Sequence, residues 1–208
     1  LSHWSEWFFY LFTMIPSEEV RIKLDQTLTE FRAYFSAALD KQDKHQKPTL
    51  LSYLSRPENP QQQLSKQQII DNCMLLFADG IENVDKAIAS AFMLFKAYPA
   101  QLQQLQSQPE IITTAVNECL RFESPAQFIG RVAKQDITLH GQKIYKNEAI
   151  LLMLAAANRD PQHFTQPDEF IIQRSPNPHI SFGKSRHGCI GGPLVQREME
   201  AALPPLIE

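Results

Sequence analysis

A glycine-rich segment near the carboxyl end of the chain reads Ile180-Ser-Phe-Gly-Lys-Ser-Arg-His-Gly-Cys-Ile-Gly-Gly192. It contains one cysteine, Cys189, and the sequence that follows, from Pro193 to Ala202, has the pattern of a helix. The unpaired N–H groups at a helix start stabilise a thiolate. Glycines let the backbone approach the sulfur, and a thiolate held in this way is a good ligand for haem iron. A buried, inert cysteine is the alternative, and the segment alone leaves both interpretations open.

Composition excludes several classes of protein. The 208 residues carry a formal net charge of −3 at a pI near 6.1, which argues against a nucleic-acid-binding protein. Three widely spaced cysteines without a C-x-x-C pair argue against a disulfide framework and a structural zinc site, and they indicate a reducing compartment such as the cytoplasm. The apolar run at residues 7–15 is too short to span a bilayer, so no membrane span is predicted.

The hydrophobic pattern changes along the chain. The spacing of the apolar residues predicts one long helix at residues 65–98 and a shorter helix at residues 109–122. Short strand-like runs follow within residues 128–145, and residues 159–178 form an irregular, proline-rich meander. The pattern predicts a mainly α fold with a minor β-sheet.

Two polar residues share one face of the shorter helix. Glu118 and Arg121 are spaced i and i+3, which is typical of a solvated surface pair worth a few tenths of a kcal/mol. The spacing alone favours that surface pair over a buried one.

The cysteine segment resembles the haem-binding signature of the cytochrome P450 family, Phe-Gly-x-Gly-x-His-x-Cys-x-Gly. The matching residues are Phe182, Gly183, His187, Cys189 and Gly191, whereas Ser185 replaces the middle glycine. The resemblance implies that residues 1–208 form the C-terminal half of the cytochrome P450 fold, because a catalytic domain of the family is about twice this length. We therefore expect the chain to be a fragment or a partial sequence of a longer protein.

The resemblance also changes the interpretation of the acid–arginine pair. Glu118 and Arg121 match the Glu-x-x-Arg motif of the family, and Arg174 matches the arginine of the meander that pairs with it. The resemblance implies a buried structural network of these three residues, which fixes the meander and so the cysteine loop.

A second motif is similar to the family's Ala-Gly-x-(Asp/Glu)-Thr sequence, where dioxygen binds above iron. Gly80 and Glu82 match, while Asn83 replaces the threonine whose hydroxyl helps to deliver protons. An amide is a poor proton relay, so Glu82 or water is expected to carry the protons, or the reaction differs from standard hydroxylation. Gly80, Glu82 and Asn83 are the candidate catalytic residues.

The expected cofactor is haem b, with Cys189 as the axial ligand of the iron. Phe182 and Gly191 complete the ligand loop by resemblance. Arg131, His179 and His187 match positions that contact the haem carboxylates in the family, whereas Arg131 or His179 taken alone would be an ordinary surface charge or a satisfied core histidine.

The resemblance implies a haem-dependent monooxygenase of the soluble bacterial type. It would oxidise a small organic substrate with O2, and its electrons would come from a separate ferredoxin-type or flavodoxin-type donor. Nucleic acid is not an expected partner, and the expected location is the cytoplasm. The alternative is a truncated, inactive remnant or a helical interaction fragment that binds no haem.

Overall fold

The chain is described by a computed structural model that covers residues 4, 7, 8, 10, 16–41, 49–56, 59–80 and 83–207. It forms two compact units, Leu1–Glu82 and Asn83–Glu208. The assignment of residues 1–208 to part of one larger domain remains a prediction.

The first unit is helical. Its helices are α1 (Glu18–Asp40), α2 (Leu50–Ser55) and α3 (Lys66–Gly80), with a 3₁₀ turn at Pro60–Gln62. The Ser17 hydroxyl accepts a hydrogen bond from the Val20 N–H at 3.3 Å and so starts α1. Ser65 and Gln68 form a reciprocal capping box before α3, at 3.2 and 2.8 Å.

Aromatic side chains fill the core of the first unit. Phe31 of α1 is fully buried, and its ring packs against those of Phe8 and Phe77 with centroids 5.1 and 5.5 Å apart. Cys73 of α3 is buried in the same cluster, as its apolar neighbours in the sequence predict.

The second unit is built around one buried helix. Its helices are α4 (Asn83–Ala97), α5 (Pro99–Ser107), α6 (Ile112–Phe122), α7 (Leu154–Ala157) and α8 (Gly192–Ile207), with a 3₁₀ turn at Pro109–Ile111 before α6. Helices α4 and α8 pack on each other and on α6. The carboxyl half of α6 is enclosed so fully that its charged residues Glu118 and Arg121 have no exposed surface.

Along the chain, two small antiparallel sheets follow α6 and precede the meander. Strand β1 (Ile129–Val132) pairs with β4 (Ala149–Leu152), and β2 (Ile137–Leu139) pairs with β3 (Gln142–Ile144). The β2–β3 turn has positive φ at both central residues, 47° at His140 and 78° at Gly141, as a two-residue hairpin with the twist of its strands requires.

The prediction of a mainly α fold with minor sheet is confirmed. The long helix predicted at residues 65–98 corresponds to α3 and α4, and residues 81 and 82 between them lie outside the described residues. In the described part of the chain, no helix is both long and apolar enough to cross a bilayer.

Candidate functional site

Cys189 is exposed, whereas Cys73 and Cys119 are buried. The Cys189 N–H donates a 2.7 Å hydrogen bond to the Phe182 carbonyl, which closes the loop, and the Phe182 ring lies against Gly192 at the start of α8. A β-carbon added at Gly191 would lie 3.8 Å from the sulfur, and one at Gly192 would lie 3.2 Å from the Phe182 ring. The structure thus does not bury Cys189, and its role as an iron ligand stays a prediction.

Ser185, which replaces a glycine of the family pattern, adopts a backbone conformation that favours glycine. Its φ is 65°, in the left-handed region, and its carbonyl accepts the Gly188 N–H at 2.9 Å to close the 3₁₀ turn Ser185–His187. A β-carbon in this region is strained by about 1 kcal/mol or more. The loop therefore keeps its turn at the cost of local strain.

Replacing Ser185 by glycine should relieve this strain. We expect Ser185→Gly to raise the free energy of unfolding of the full-length protein by about 1 kcal/mol, measured by urea denaturation. Gly183→Ala is the matched control, because Gly183 also has positive φ (67°) and a β-carbon there would meet the His187 carbonyl at 3.4 Å. That variant should be less stable, and equal effects of the two substitutions would contradict the explanation.

Glu118 is the centre of a buried ion network. Its carboxylate receives hydrogen bonds from Arg121 Nε at 2.8 Å and from Arg174 Nε at 3.0 Å. It also accepts the Ile171 N–H at 2.9 Å and the Asn177 side-chain N–H at 3.0 Å. The structure thus brings Glu118, Arg121 and Arg174 together, and the surface pair that the spacing alone favours is wrong.

The two arginines fix the meander through its carbonyl groups. Arg121 donates to the carbonyls of Asn158, Pro167 and Glu169. Arg174 donates to those of Thr165, Gln166 and Glu169. A loop without regular structure is held in one conformation by these bonds, which satisfy carbonyl groups that would otherwise be unpaired.

His179 is largely buried and already has protein partners for both ring nitrogens. Its Nε2 lies 3.3 Å from Asn117 Oδ1, and its Nδ1 accepts the Ser181 N–H at 3.4 Å. The pKa of His179 is lowered to about 4, chiefly by burial; the nearby Glu118 charge raises this pKa and the Arg121 charge lowers it. The side chain is neutral at neutral pH, so a haem carboxylate would have to displace one of these partners.

Arg131 and His187 are exposed. Arg131 lies on β1, where its Nη1 donates to the carbonyl of Gly130 at 2.7 Å, and His187 ends the 3₁₀ turn of the cysteine loop. Their predicted contacts with haem carboxylates remain predictions.

The catalytic motif is described only in part. Gly80 is the last residue of α3, and Asn83 is the first residue of α4. Glu82 lies outside the described residues.

Sequence reasoning missed a set of amide and hydroxyl side chains around this network. Asn158 has no exposed surface, and it bonds to Ser124 and Ser181. Gln101 accepts the Ile172 N–H at 2.9 Å. The sequence places Asn158 between a helical run and Asp160-Pro161, which indicates a cap. Its hydrogen-bond partners lie far away along the chain, so the sequence does not indicate them.

Known proteins resemble the chain in both sequence and structure. The sequence profile of the family Cytochrome P450 matches residues 103–208. The biotin biosynthesis cytochrome P450 of Bacillus subtilis is 39% identical over 176 residues, which are 85% of this chain and 44% of that protein. The chain thus spans about half the length of the curated relatives that it matches.

Solved structures match nearly the whole chain. P450BioI in complex with an acyl carrier protein ligated to hexadec-9Z-enoic acid has a TM-score of 0.91 at 35% identity, covering 98% of this chain and 52% of that one. CYP109E1 from Bacillus megaterium in complex with testosterone has a TM-score of 0.89 at 27% identity, covering 99% and 55%. With the cysteine loop and the buried Glu118 network, these matches show that the chain belongs to the cytochrome P450 family.

Proposed function

We propose that the full-length protein is a haem-dependent monooxygenase in which the thiolate of Cys189 would bind the haem iron. The observation that carries the proposal is the exposed Cys189 in a loop that is closed by its N–H bond to the Phe182 carbonyl, with the Phe182 ring against Gly192. Members of the family bind haem b. When bound, the haem supplies the oxidation chemistry, and a thiolate ligand favours cleavage of the O–O bond.

The residues of the chain would hold the cofactor in different ways. Cys189 would provide the anionic ligand, with Phe182 and Gly191 shaping the space around it. Arg131 and His187 would bind the haem carboxylates, because charge-assisted hydrogen bonds to a carboxylate are stronger than neutral ones. His179 is the weaker candidate for that contact, since its ring nitrogens are already partnered.

The substrate is proposed to be a small organic molecule, oxidised with O2 and electrons from a separate ferredoxin-type or flavodoxin-type protein. The ligands in the two similar structures, a hexadecenoyl group on a carrier protein and testosterone, are suitable first compounds to screen for binding. Cytoplasmic location agrees with free thiols at Cys73, Cys119 and Cys189.

The test of the ligand assignment is spectroscopic. The full-length protein, purified with haem, reduced and exposed to CO, should show the absorption band from which the family takes its name. We expect Cys189→Ala to lose this band completely, because alanine offers the iron no ligand, whereas the buried thiol variant Cys119→Ala should keep it. A full-length protein without the band would support the alternative of an inactive remnant, and a band that survives Cys189→Ala would contradict the proposed ligand.

Asn83 is proposed to limit proton delivery, because a carboxamide does not both accept and release a proton as a hydroxyl does. We expect Asn83→Thr to raise, severalfold, the fraction of consumed O2 that appears in oxidised substrate, since a positioned proton donor contributes to catalysis. The measurement compares O2 uptake with product formed, and Asn83→Ala serves as control. An unchanged ratio in Asn83→Thr, with loss of product in Glu82→Gln, would assign proton delivery to Glu82 instead.

A further inference from the structure

Asn158 is a fully buried side chain whose hydrogen-bonding groups all have partners. Its amide nitrogen donates to Ser124 Oγ and Ser181 Oγ, both at 2.9 Å, and its amide oxygen accepts the Ile180 N–H at 2.8 Å. Because the oxygen faces an N–H and the nitrogen faces two hydroxyls, the amide has one satisfied orientation.

The two hydroxyls link Asn158 to the end of α6. Ser124 Oγ and Ser181 Oγ each donate to the Leu120 carbonyl, at 3.0 and 2.7 Å, so neither hydroxyl has its own proton left for Asn158. Only a side chain that donates twice and accepts once fits this position. An aspartate of the same shape has no proton for either hydroxyl oxygen, and a serine could donate to it only by giving up its bond to the Leu120 carbonyl.

The same residue is tied to the buried ion network. Arg121 Nη1 donates to the Asn158 carbonyl at 2.8 Å, and Arg121 pairs with Glu118. Asn158 therefore has its backbone fixed by the network while its side chain reaches residues 180 and 181.

Residues 180 and 181 directly precede Phe182, whose carbonyl accepts the Cys189 N–H at 2.7 Å. The Phe182 ring also rests on Gly192, where α8 begins. The position of the Cys189 loop thus depends on the position of Phe182, and two bonds from Asn158 act within two residues of it.

We propose that Asn158 is a positioning residue for the Cys189 ligand: it transmits the fixed geometry of the Glu118 network to the loop that holds the sulfur. The proposal rests on the proposed function, because it concerns the same ligand. A residue that merely stabilises the fold would weaken the whole protein, whereas Asn158 acts on the cysteine loop in particular.

The first measurement is amide hydrogen exchange in the haem-free full-length protein. We expect Asn158→Asp to increase exchange about tenfold in the segment 180–189, because buried hydrogen bonds that hold it are lost. Ser181→Ala, a milder variant for the case in which Asn158→Asp fails to fold, should increase it severalfold. Ser124→Ala is the control: it removes the other serine bonded to Asn158, together with its 3.1 Å contact to Ser181 Oγ, and leaves the bond from Asn158 to Ser181 in place.

The second measurement is the reduced CO spectrum of the haem-loaded variants. We expect the fraction of haem-loaded protein that lacks a thiolate ligand to rise about tenfold in Asn158→Asp and severalfold in Ser181→Ala. In Ser124→Ala this fraction should resemble that of the unsubstituted protein. Absence of the thiolate band in the unsubstituted protein would contradict the proposed function and leave the exchange result as the test of Asn158. Unchanged exchange in Asn158→Asp, or equal exchange in Ser181→Ala and Ser124→Ala, would overturn the positioning role.

Discussion

Glu118→Gln should be among the most destabilising single substitutions in the chain. It removes the carboxylate that pairs with both arginines, while Arg121 keeps 0% and Arg174 keeps 9% of its surface exposed. An uncompensated buried charge costs about 3–5 kcal/mol. We expect the free energy of unfolding of the full-length protein to fall by about this amount, measured by urea denaturation.

An ion pair of the same spacing whose arginine is exposed provides the control. Arg197 and Glu200 of α8 are also at i and i+3, 2.9 Å apart, but the Arg197 side chain is 81% exposed. We expect Arg197→Gln to cost at most about 0.5 kcal/mol, because solvent screens such a pair. If the two substitutions lower the free energy of unfolding by the same amount, burial does not account for the stabilisation by the Glu118 network.

The comparison also explains why identical spacing leads to opposite predictions. An acid and an arginine at i and i+3 indicate only that the two side chains share a helix face. The burial of Glu118 comes from α4, α8 and the meander, which are distant in the sequence. The resemblance to the Glu-x-x-Arg motif supplied that information, and the structure confirms the contacts of Glu118 with both arginines.

Other features could be predicted because they are local. The Ser17 cap and the hairpin turn at Gly141 depend on residues within a few positions of each other. Strand β4 was missed, because its short apolar run, Ala-Ile-Leu-Leu, fits a buried helix as well as a strand.

Asn158 shows the limit of reading a sequence. Its partners Ser124 and Ser181 lie 34 and 23 residues away, and no spacing rule connects them. A capping role explains an asparagine before Asp160-Pro161, but not its burial. Side-chain amides that satisfy distant backbone groups can be recognised only when the fold is known.

Acid should destabilise the protein through His179. The pKa of its imidazole is about 4 in the folded chain, chiefly because burial disfavours the charged form, against 6.5 ordinarily. Between these values the unfolded chain binds a proton that the folded chain does not, so stability is full above pH 6.5 and is lost as the pH falls towards 4. The difference corresponds to about 3 kcal/mol.

His179→Gln removes this titration and keeps an amide that can bond to Asn117. Both proteins should lose stability between pH 6.5 and pH 4, since their carboxylates titrate equally. We expect the loss in free energy of unfolding to be smaller in this variant than in the unsubstituted protein, by about 3 kcal/mol. His163→Gln, which removes an exposed imidazole, is the control variant. Equal losses in the His179→Gln variant and the unsubstituted protein would mean that the folded chain protonates the imidazole as readily as the unfolded chain does, so that a charged His179 is available to a haem carboxylate below pH 6.5.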